Sequence, residues 1–527
     1  MLTLSECRDL SVFEILKRSA ESAGLFFISI FDFTFWKLRF NISSVSSAWT
    51  YGLDFSPGFT LQNWMDMIKK TKKSAKVSRS GKMAELADVS SGVEYRKTVL
   101  PNGLRILSEK QPAGRAVSCG IWIDRGTRHE RPHEAGMAHF VEHMLFKRTE
   151  KRSAYQIARD MEAVGGELNA FTSRESTCFV THALTEDLGL SLDVLSDLVC
   201  RPVFDSSDIR KEKSVVLQEI HMSDDVIEDS IFDRFFELAY AGSTLGTPIL
   251  GSVKSVGSFD KAKVVDFHQR HYRPENMIVT VAGRVEHDDV LALVLKHLKF
   301  KKPKLSAASL SKSRALKEAL HAKTVAAEPH VQTFRRVIRK PSEQAHVVMG
   351  LPAANFTDRL RFEAYIVNTL LGGGMTSRLF QSVREDKGLA YSVYSQLSTF
   401  IDSGVMLIYA GTEPKKMPTL VETMLKELRR LKKHGVSKSE LSLFKTQVLG
   451  QILLGADDVE NRMNSLGANE MVMGRYRSVE NVMQEIEAVS LDSLHEYLEN
   501  YMDLERAGFL VMGPVPEEPT QRWLRGL

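Results

Sequence analysis

The sequence predicts an α+β fold in which two homologous domains each pack helices on a mostly antiparallel sheet. Two observations lead to this prediction. Short β-rich runs alternate with runs that have apolar residues at helical spacing, and the order of these runs in the first half returns in the second half. The 527 residues, 43% hydrophobic and 26% charged, have the composition of a globular protein with about two to four domains.

Turn residues and periodicity predict the elements of the first half. A Pro-Asn-Gly turn separates the first two strands, and a Gly pair ends the second helix. In chain order we predict two strands within 94–111, a strand at 116–127, helices at 133–146 and 153–166, a β-rich segment at 169–184 and a helix at 188–204.

The second half repeats this order. Three pairs of segments correspond in pattern: 139–146 with 365–372, 206–220 with 438–452, and 264–283 with 493–513. Each match is weak alone, but their shared order indicates two copies of one unit. We therefore predict a flexible leader of unknown role at 1–92, a first domain at 93–300, a linker at 301–335 and a second domain at 336–520.

The net charge of +4 comes largely from one basic segment, Lys69–Lys82, which contains no acid. No aromatic residues are interleaved with these charges, so we expect a solvated tether and no nucleic-acid binding. The apolar run Gly24–Trp36 is interrupted by Asp32 and is too short to cross a bilayer, so we expect no stable membrane insertion. The four cysteines form no Cys-x-x-Cys pair, which argues against a zinc ribbon or a disulfide framework and favours a reducing compartment.

The pentapeptide His-Phe-Val-Glu-His at 139–143 is the strongest chemical signal. On a helix, His139 and His143 lie one turn apart on one face and can reach a single zinc ion. Glu142 is placed to take a proton from an attacking water. By itself the pentapeptide is equally compatible with an ordinary helix turn. A catalytic zinc takes three protein ligands, and Glu219 is the candidate for the third.

The repeat helps to decide between these two interpretations. The residues aligned with His139, Glu142, His143 and Glu219 in the second half are Tyr365, Asn368, Thr369 and Gln451. A helix turn with a purely structural role would not need to lose every ionisable group in its copy. The comparison therefore favours a metal site that is present in the first half only.

Over residues 94–515 the sequence resembles the inverzincin metallopeptidases, the family of mitochondrial processing peptidase, pitrilysin and insulysin. The resemblance rests on the 139–143 motif, on Glu219 at the family's distance, and on Glu212 seven residues before it. It implies one Zn²⁺ per chain bound by His139, His143 and Glu219, with Glu142 as general base. It also implies that Glu212 orients the ligands from behind.

Two further segments resemble parts of the family's substrate site. Residues 165–179, with Asn169 and Ala170, resemble an edge strand whose backbone pairs with an extended substrate; the alternative is an ordinary internal strand. Residues 370–395 resemble a glycine loop followed by an Arg and Tyr pair, here Arg384 and Tyr391. In the family this pair grips substrate and stabilises the oxyanion from the opposite half. The glycines could instead only end a helix.

Asp229 and Asp233 match positions at which processing peptidase holds a substrate arginine. Acids on a solvated helix face are common, so the alternative is that these two carboxylates have no ligand.

The resemblance implies a zinc-dependent endopeptidase that hydrolyses extended peptides or unfolded segments. Two domains correspond to half of the family's four-domain clamshell, so a homodimer is implied, with Arg384 and Tyr391 of one protomer facing the zinc of the other. Alternatives are a non-catalytic scaffold subunit, a catalytic subunit with a different partner, and a nucleic-acid binder that uses Lys69–Lys82. The leader contains acids, which transit peptides avoid, so we expect a cytoplasmic protein, with the mitochondrial matrix as the alternative.

Overall fold

The computed structural model describes residues 88–90, 92–300 and 330–526. Most of the predicted leader and linker, including Lys69–Lys82 and Gly24–Trp36, lie outside the described residues. Among the described helices, none combines the length and the apolar character that crossing a membrane requires.

The first sheet is formed by residues of the first half. Its strands in the described ranges are β1 Asp88–Ser90, β2 Val93–Val99, β3 Arg105–Lys110, β4 Ala116–Ile123, β5 Glu167–Thr172, β6 Thr177–Leu184 and β7 Met277–Gly283. They lie in the order β1-β2-β3-β7-β4-β6-β5. Every neighbouring pair is antiparallel except β3 with β7. The predicted strand pair around the Pro-Asn-Gly turn is therefore confirmed as β2 and β3.

The second sheet repeats this arrangement. Its described strands are β8 Arg335–Arg339, β9 Ala345–Pro352, β10 Ala390–Thr399, β11 Gly404–Thr412 and β12 Gly508–Gly513. Their order is β8-β12-β9-β11-β10, and only β8 and β12 are parallel. This is the order β3-β7-β4-β6-β5 of the first sheet. The predicted fold class, two homologous and mostly antiparallel α+β units, is confirmed.

Helices follow the strands in corresponding places in each half. Those of the first half are α1 Met137–Leu145, α2 Ala154–Glu162, α3 Leu188–Cys200, α4 Ser206–Asp225, α5 Ile227–Ala239, α6 Val253–Gly257, α7 Lys261–His271 and α8 His287–His297. Those of the second half are α9 Arg361–Gly372, α10 Met417–His434, α11 Lys438–Ala456, α12 Val459–Met473, α13 Val479–Ala488, α14 Leu491–Tyr501 and α15 Glu517–Arg525.

Helix α1 is shorter than the predicted segment 133–146, because it begins only at Met137. The residue before it, Gly136, has φ +88°, and a Cβ there would lie 2.6 Å from the carbonyl oxygen of Leu250. The left-handed backbone and the crossing of a second chain segment both require glycine at this position. The start of the helix is thus set by a contact between residues distant in sequence.

The two halves interlock, because each sheet is covered on one face by a helix of the other half. Helix α5 packs on β9 and β12. There the ring of Phe235 lies so close to Gly350 that a Cβ added at this glycine would be 2.1 Å from the ring. Reciprocally, α12 packs on β3, β4 and β7, and Gly467 lets the backbone of α12 approach the indole of Trp122. These contacts bury apolar surface of both halves in shared cores.

A buried ion pair joins the same elements. Glu109 of β3 is fully buried and accepts hydrogen bonds of 2.7 and 2.6 Å from Arg462 of α12. Gln111 and Tyr476 also donate to this carboxylate. Such a pair contributes little net stability when intact, but its disruption leaves an uncompensated charge.

Replacing Arg462 with Met is therefore expected to lower the free energy of unfolding by about 3 kcal/mol, because Glu109 keeps only the hydrogen bonds from Gln111 and Tyr476. Urea unfolding followed by circular dichroism measures the change. In the control, Glu109→Gln combined with Arg462→Met should lose less stability than the single variant. A single variant as stable as the wild type would contradict this account.

Candidate metal centre

Helices α1 and α4 pack together and bring three ligand groups to one point. His139 and His143 lie on α1, and their Nε2 atoms are 3.1 Å apart. Oε2 of Glu219, on α4, lies 3.6 Å from Nε2 of His143 and 4.0 Å from Nε2 of His139. All three ligand atoms lie within 4.8 Å of one another, so the predicted ligand set is brought together.

These distances fit a metal ion. Tetrahedral ligands at bond lengths of about 2.0–2.1 Å are about 3.3 Å apart. Within the described part of the chain, the buried Oε2 of Glu219 has no hydrogen-bond partner. A buried carboxylate oxygen left unsatisfied beside two imidazole nitrogens is costly unless a cation joins them. Burial raises the pKa of Glu219 in the absence of such a cation.

Glu212, which the resemblance implies to orient the ligands, contacts the second ring nitrogen of His143. Its Oε1 lies 2.8 Å from Nδ1 of His143, and its Oε2 lies 2.5 Å from Nζ of Lys147. Burial alone would raise the pKa of Glu212, but the hydrogen bonds from His143 and Lys147 lower it overall. Burial opposes any rise in the pKa of His143, but the neighbouring carboxylates of Glu212, Glu219 and Glu142 raise it. An ionised carboxylate only accepts hydrogen bonds, so a metal-bound His143 would keep its proton on Nδ1, facing Glu212, and bind the metal through Nε2.

Glu142 lies on the same helix as the two histidines and is buried. Burial raises its pKa to about 7, although a hydrogen bond from Thr172 opposes the shift. The Thr172 hydroxyl donates to Oε2 of Glu142 over 2.5 Å. Thr172 is the last residue of β5, so this hydrogen bond joins the carboxylate to the strand predicted to bind substrate.

The N-terminus of α1 is held by a residue that the sequence did not single out. Glu130 is buried and accepts hydrogen bonds from the backbone N–H groups of Gly136 and Ala138, at 2.9 and 2.7 Å. The carboxyl group of Glu130 satisfies N–H groups that this end of a helix leaves unpaired. Burial raises its pKa to about 8, although the backbone hydrogen bonds from Ala138 and Gly136 oppose the shift. Glu130 and Thr172 were missed because no local spacing relates them to the motif. Lys147 lies only four residues after His143, but its contact with Glu212 depends on the packing of α1 against α4.

Strand β5 lies at the end of the described strand order and pairs only with β6 there. Within the described part of the chain it is therefore an edge strand and not an internal one. Asn169 is exposed and Ala170 is half-buried. This edge offers backbone groups of the kind that pair with an extended chain. Substrate binding by β5, and the role of Asn169 and Ala170 in it, stay predictions.

Arg384 and Tyr391 contact each other in the second half. The guanidinium carbon of Arg384 lies 4.4 Å from the centre of the Tyr391 ring, and Nη1 donates to the Tyr391 carbonyl over 2.9 Å. Arg384 lies in a π-helical turn, Phe380–Glu385, and Tyr391 lies in β10 with 58% of its surface exposed. The pair therefore belongs to the half opposite the three ligands. Its role at a partner's metal stays a prediction.

Asp229 and Asp233 lie on α5, directly after the helix that carries Glu219. Asp233 lies 3.8 Å from Nη2 of Arg174. Burial raises the pKa of Asp233, and the charge of Arg174 opposes this. A substrate arginine at Asp233 would have to compete with this internal cation.

In the segment predicted to be a glycine loop, Gly372 is required by the packing of the fold. A Cβ at Gly372, the last residue of α9, would lie 2.2 Å from the backbone nitrogen of Ser395 in β10. This close approach of helix and strand requires glycine whatever the loop binds.

Comparisons with known proteins identify the family of this chain. Residues 105–253 match the family described as insulinase (peptidase family M16), and residues 258–448 match the peptidase M16 inactive domain. An uncharacterized zinc protease of Mycobacterium bovis is 37% identical over 428 residues, which cover 81% of this chain and 95% of that protein. An uncharacterized zinc protease of Bacillus subtilis is 36% identical over 394 residues, 75% of this chain and 92% of that protein.

A solved structure also shares the fold. A protease from Helicobacter pylori superimposes with a TM-score of 0.71 and 21% identity, covering 80% of this chain and all of that one. The family suggested by residues 139–143, Glu212 and Glu219 is thereby confirmed. The chain belongs to peptidase family M16.

Proposed function

We propose that this chain is a zinc-dependent endopeptidase. The observation that carries the proposal is the convergence of two imidazole nitrogens and one carboxylate oxygen, from His139, His143 and Glu219, on the helix pair that also holds the buried Glu142. Two imidazoles and one carboxylate are a ligand set of catalytic zinc, with a fourth position left for water or substrate. The names of the relatives as zinc proteases support the same metal.

A zinc ion held by these three side chains would act as a Lewis acid on the scissile carbonyl and on water. Glu142 accepts the proton of the attacking water while the water oxygen bonds to the carbonyl carbon. The carboxyl group then gives this proton to the leaving amine as the C–N bond breaks. Thr172 keeps Oε2 of Glu142 in one orientation during both transfers.

The substrate of the proposed reaction is an extended peptide or an unfolded segment. In the described strand order β5 is the last strand and reaches Glu142 through Thr172, so a peptide can add to it as a further strand through main-chain hydrogen bonds. Asn169 and Ala170 lie on this strand. Recognition through backbone groups tolerates many side chains, so selectivity would come from additional contacts such as those of Asp229.

We further propose a homodimer, in which Arg384 and Tyr391 of one protomer face the zinc of its partner. The pair lies in the half without the ligands and is stacked into one unit that presents a guanidinium and a phenol ring. These groups suit the negative charge that develops on the carbonyl oxygen.

The proposal is tested with the purified protein. We expect about one zinc per chain and cleavage of a quenched, arginine-containing peptide that stops with 1,10-phenanthroline and returns when zinc is added. Zinc without cleavage of any peptide in a varied panel would support the non-catalytic scaffold instead. Protein that binds no zinc would refute the assignment of the ligands.

Replacing Glu212 with Gln is expected to weaken zinc binding by about 10–100-fold, because His143 loses the charged acceptor that orients its ring. Competition with a zinc-binding dye measures the affinity. Asp193→Asn is a matched control, because Asp193 makes the same 2.8 Å contact with His297 elsewhere in the first half. Equal affinities of Glu212→Gln and wild type would contradict the predicted role of Glu212.

A further inference from the structure

Two corresponding hairpins of the repeat meet at their tips. In the first half, residues 173–176 join β5 to β6, and in the second half residues 400–403 join β11 to β10. The side chain of Arg128 lies between the tips. Its Nη1 donates to Glu175 over 2.7 Å and to Asp402 over 2.8 Å, and its Nη2 also donates to Asp402. We call Arg128, Glu175 and Asp402 the hairpin bridge.

The hairpin bridge also includes a backbone contact. The N–H of Ile401, in the second hairpin, points at both carboxylate oxygens of Glu175, at 3.3 and 3.2 Å. Each carboxylate of the bridge is about one-quarter exposed, and the Arg128 side chain is only 12% exposed. A partly buried network with two acids on one guanidinium is less screened by solvent than a single surface pair.

Arg128 itself is fastened to the first hairpin by its main chain. Its N–H donates to the carbonyl of Arg174 over 2.7 Å, and the N–H of Thr127 donates to Ser173 over 3.2 Å. A Cβ at Gly126 would lie 2.3 Å from the Ser173 carbonyl oxygen, so this approach needs glycine. The backbone of Arg128 is therefore held against the first hairpin, while its guanidinium group binds Asp402 in the second half.

The first hairpin is hydrogen-bonded to Glu142, the proposed general base. Thr172 precedes the turn, and its hydroxyl donates to Glu142 over 2.5 Å. Among the described strands β5 has a neighbour on one side only, and edge strands open more easily than central ones. A contact that holds the tip of β5 also holds Thr172, and through it the orientation of Glu142.

We propose that the hairpin bridge is a positioning device, through which the half without metal ligands fixes strand β5 and the hydrogen bond from Thr172 to Glu142. Asp402 is then a positioning residue for peptide hydrolysis although it lies on the other sheet. The inference rests on the proposed function, because it assigns part of the geometry of that reaction to the second half.

Hydrogen exchange tests the positioning without any need for activity. In the full-length Asp402→Ala protein, backbone amides of residues 167–176 are expected to exchange about tenfold faster than in wild type. Lys97→Met is the matched control, because Lys97 makes another contact between the halves, 2.7 Å from Glu470, away from this hairpin. Exchange in 167–176 that is unchanged by Asp402→Ala, or equally accelerated by Lys97→Met, would overturn the proposal.

A double-mutant cycle tests the route through Thr172. Asp402→Ala is expected to lower kcat by about tenfold in the wild-type background, but by less than about twofold when Thr172 is already Val. Equal fold losses in the two backgrounds would show that Asp402 acts by another route and would overturn the proposal. A wild-type protein that cleaves no peptide would refute the proposed function, and hydrogen exchange alone would then decide whether the hairpin bridge holds β5.

Discussion

Glu142→Gln is expected to lower kcat/KM for peptide cleavage by about 10²–10⁴-fold while the zinc content stays at the wild-type level. The amide has the shape of the carboxyl group and can still accept the hydrogen bond from Thr172, but it cannot take a proton from water. Since Glu142 is not one of the three converging ligands, the metal site should stay intact. Cleavage of a quenched peptide and atomic absorption of zinc are measured on the same preparation.

The matched control for this variant is Glu363→Gln. Glu363 is a buried glutamate on α9, the helix of the second half that corresponds to α1. The same change of one buried carboxyl group should leave cleavage unaltered, because the second half lacks the ligands. Cleavage at the wild-type rate by Glu142→Gln would exclude this residue as the general base.

Glu219→Gln is expected to weaken zinc binding by more than about 10²-fold. This loss exceeds the one expected for Glu212→Gln, because Glu212 contacts a ligand and is not itself a ligand. The change removes a negative charge and one of three ligands, since the amide oxygen is a poor zinc ligand beside the two histidines. Cleavage at equimolar zinc should be lost with the metal. Zinc affinity is measured by competition with a chelating dye, and activity is measured over a range of added zinc.

Gln451→Glu is the complementary control, because Gln451 aligns with Glu219 in the second half. Restoring the acid there should leave one zinc per chain, since Tyr365 and Thr369 supply no imidazole. A second bound zinc in Gln451→Glu, or full zinc affinity in Glu219→Gln, would contradict the ligand set.

Much of the local structure could be predicted from the sequence. Turn residues and periodicity located the strands β2 and β3 and the helices α2 and α3, because hydrogen bonding and side-chain direction within these elements depend on neighbouring residues. The start of α1 was predicted too early. The backbone of Gly136 is turned by contact with Leu250, more than 100 residues away, which no local pattern shows.

Only part of the candidate site could be predicted from local sequence patterns. His139 and His143 lie on one helix, so their spacing alone places both imidazoles on one face. Glu219 and Glu212 lie on another helix. The repeat and the resemblance to known peptidases both pointed to Glu219, whereas Glu212 was identified by the resemblance alone. That their oxygens reach the imidazoles depends on how α1 packs against α4. Thr172 gave no signal, because its role depends on a hairpin that folds back onto α1.

By itself, the sequence determined the two-fold repeat, the element types and the loss of chemistry in the second copy, because periodicity and residue identity are local properties. Only the tertiary structure decided that α5 covers the second sheet and α12 the first. An amphipathic pattern shows which face of a helix is apolar but not which of two similar sheets will bury it. That choice depends on shape, here on the close fit of Phe235 at Gly350 and of Trp122 at Gly467.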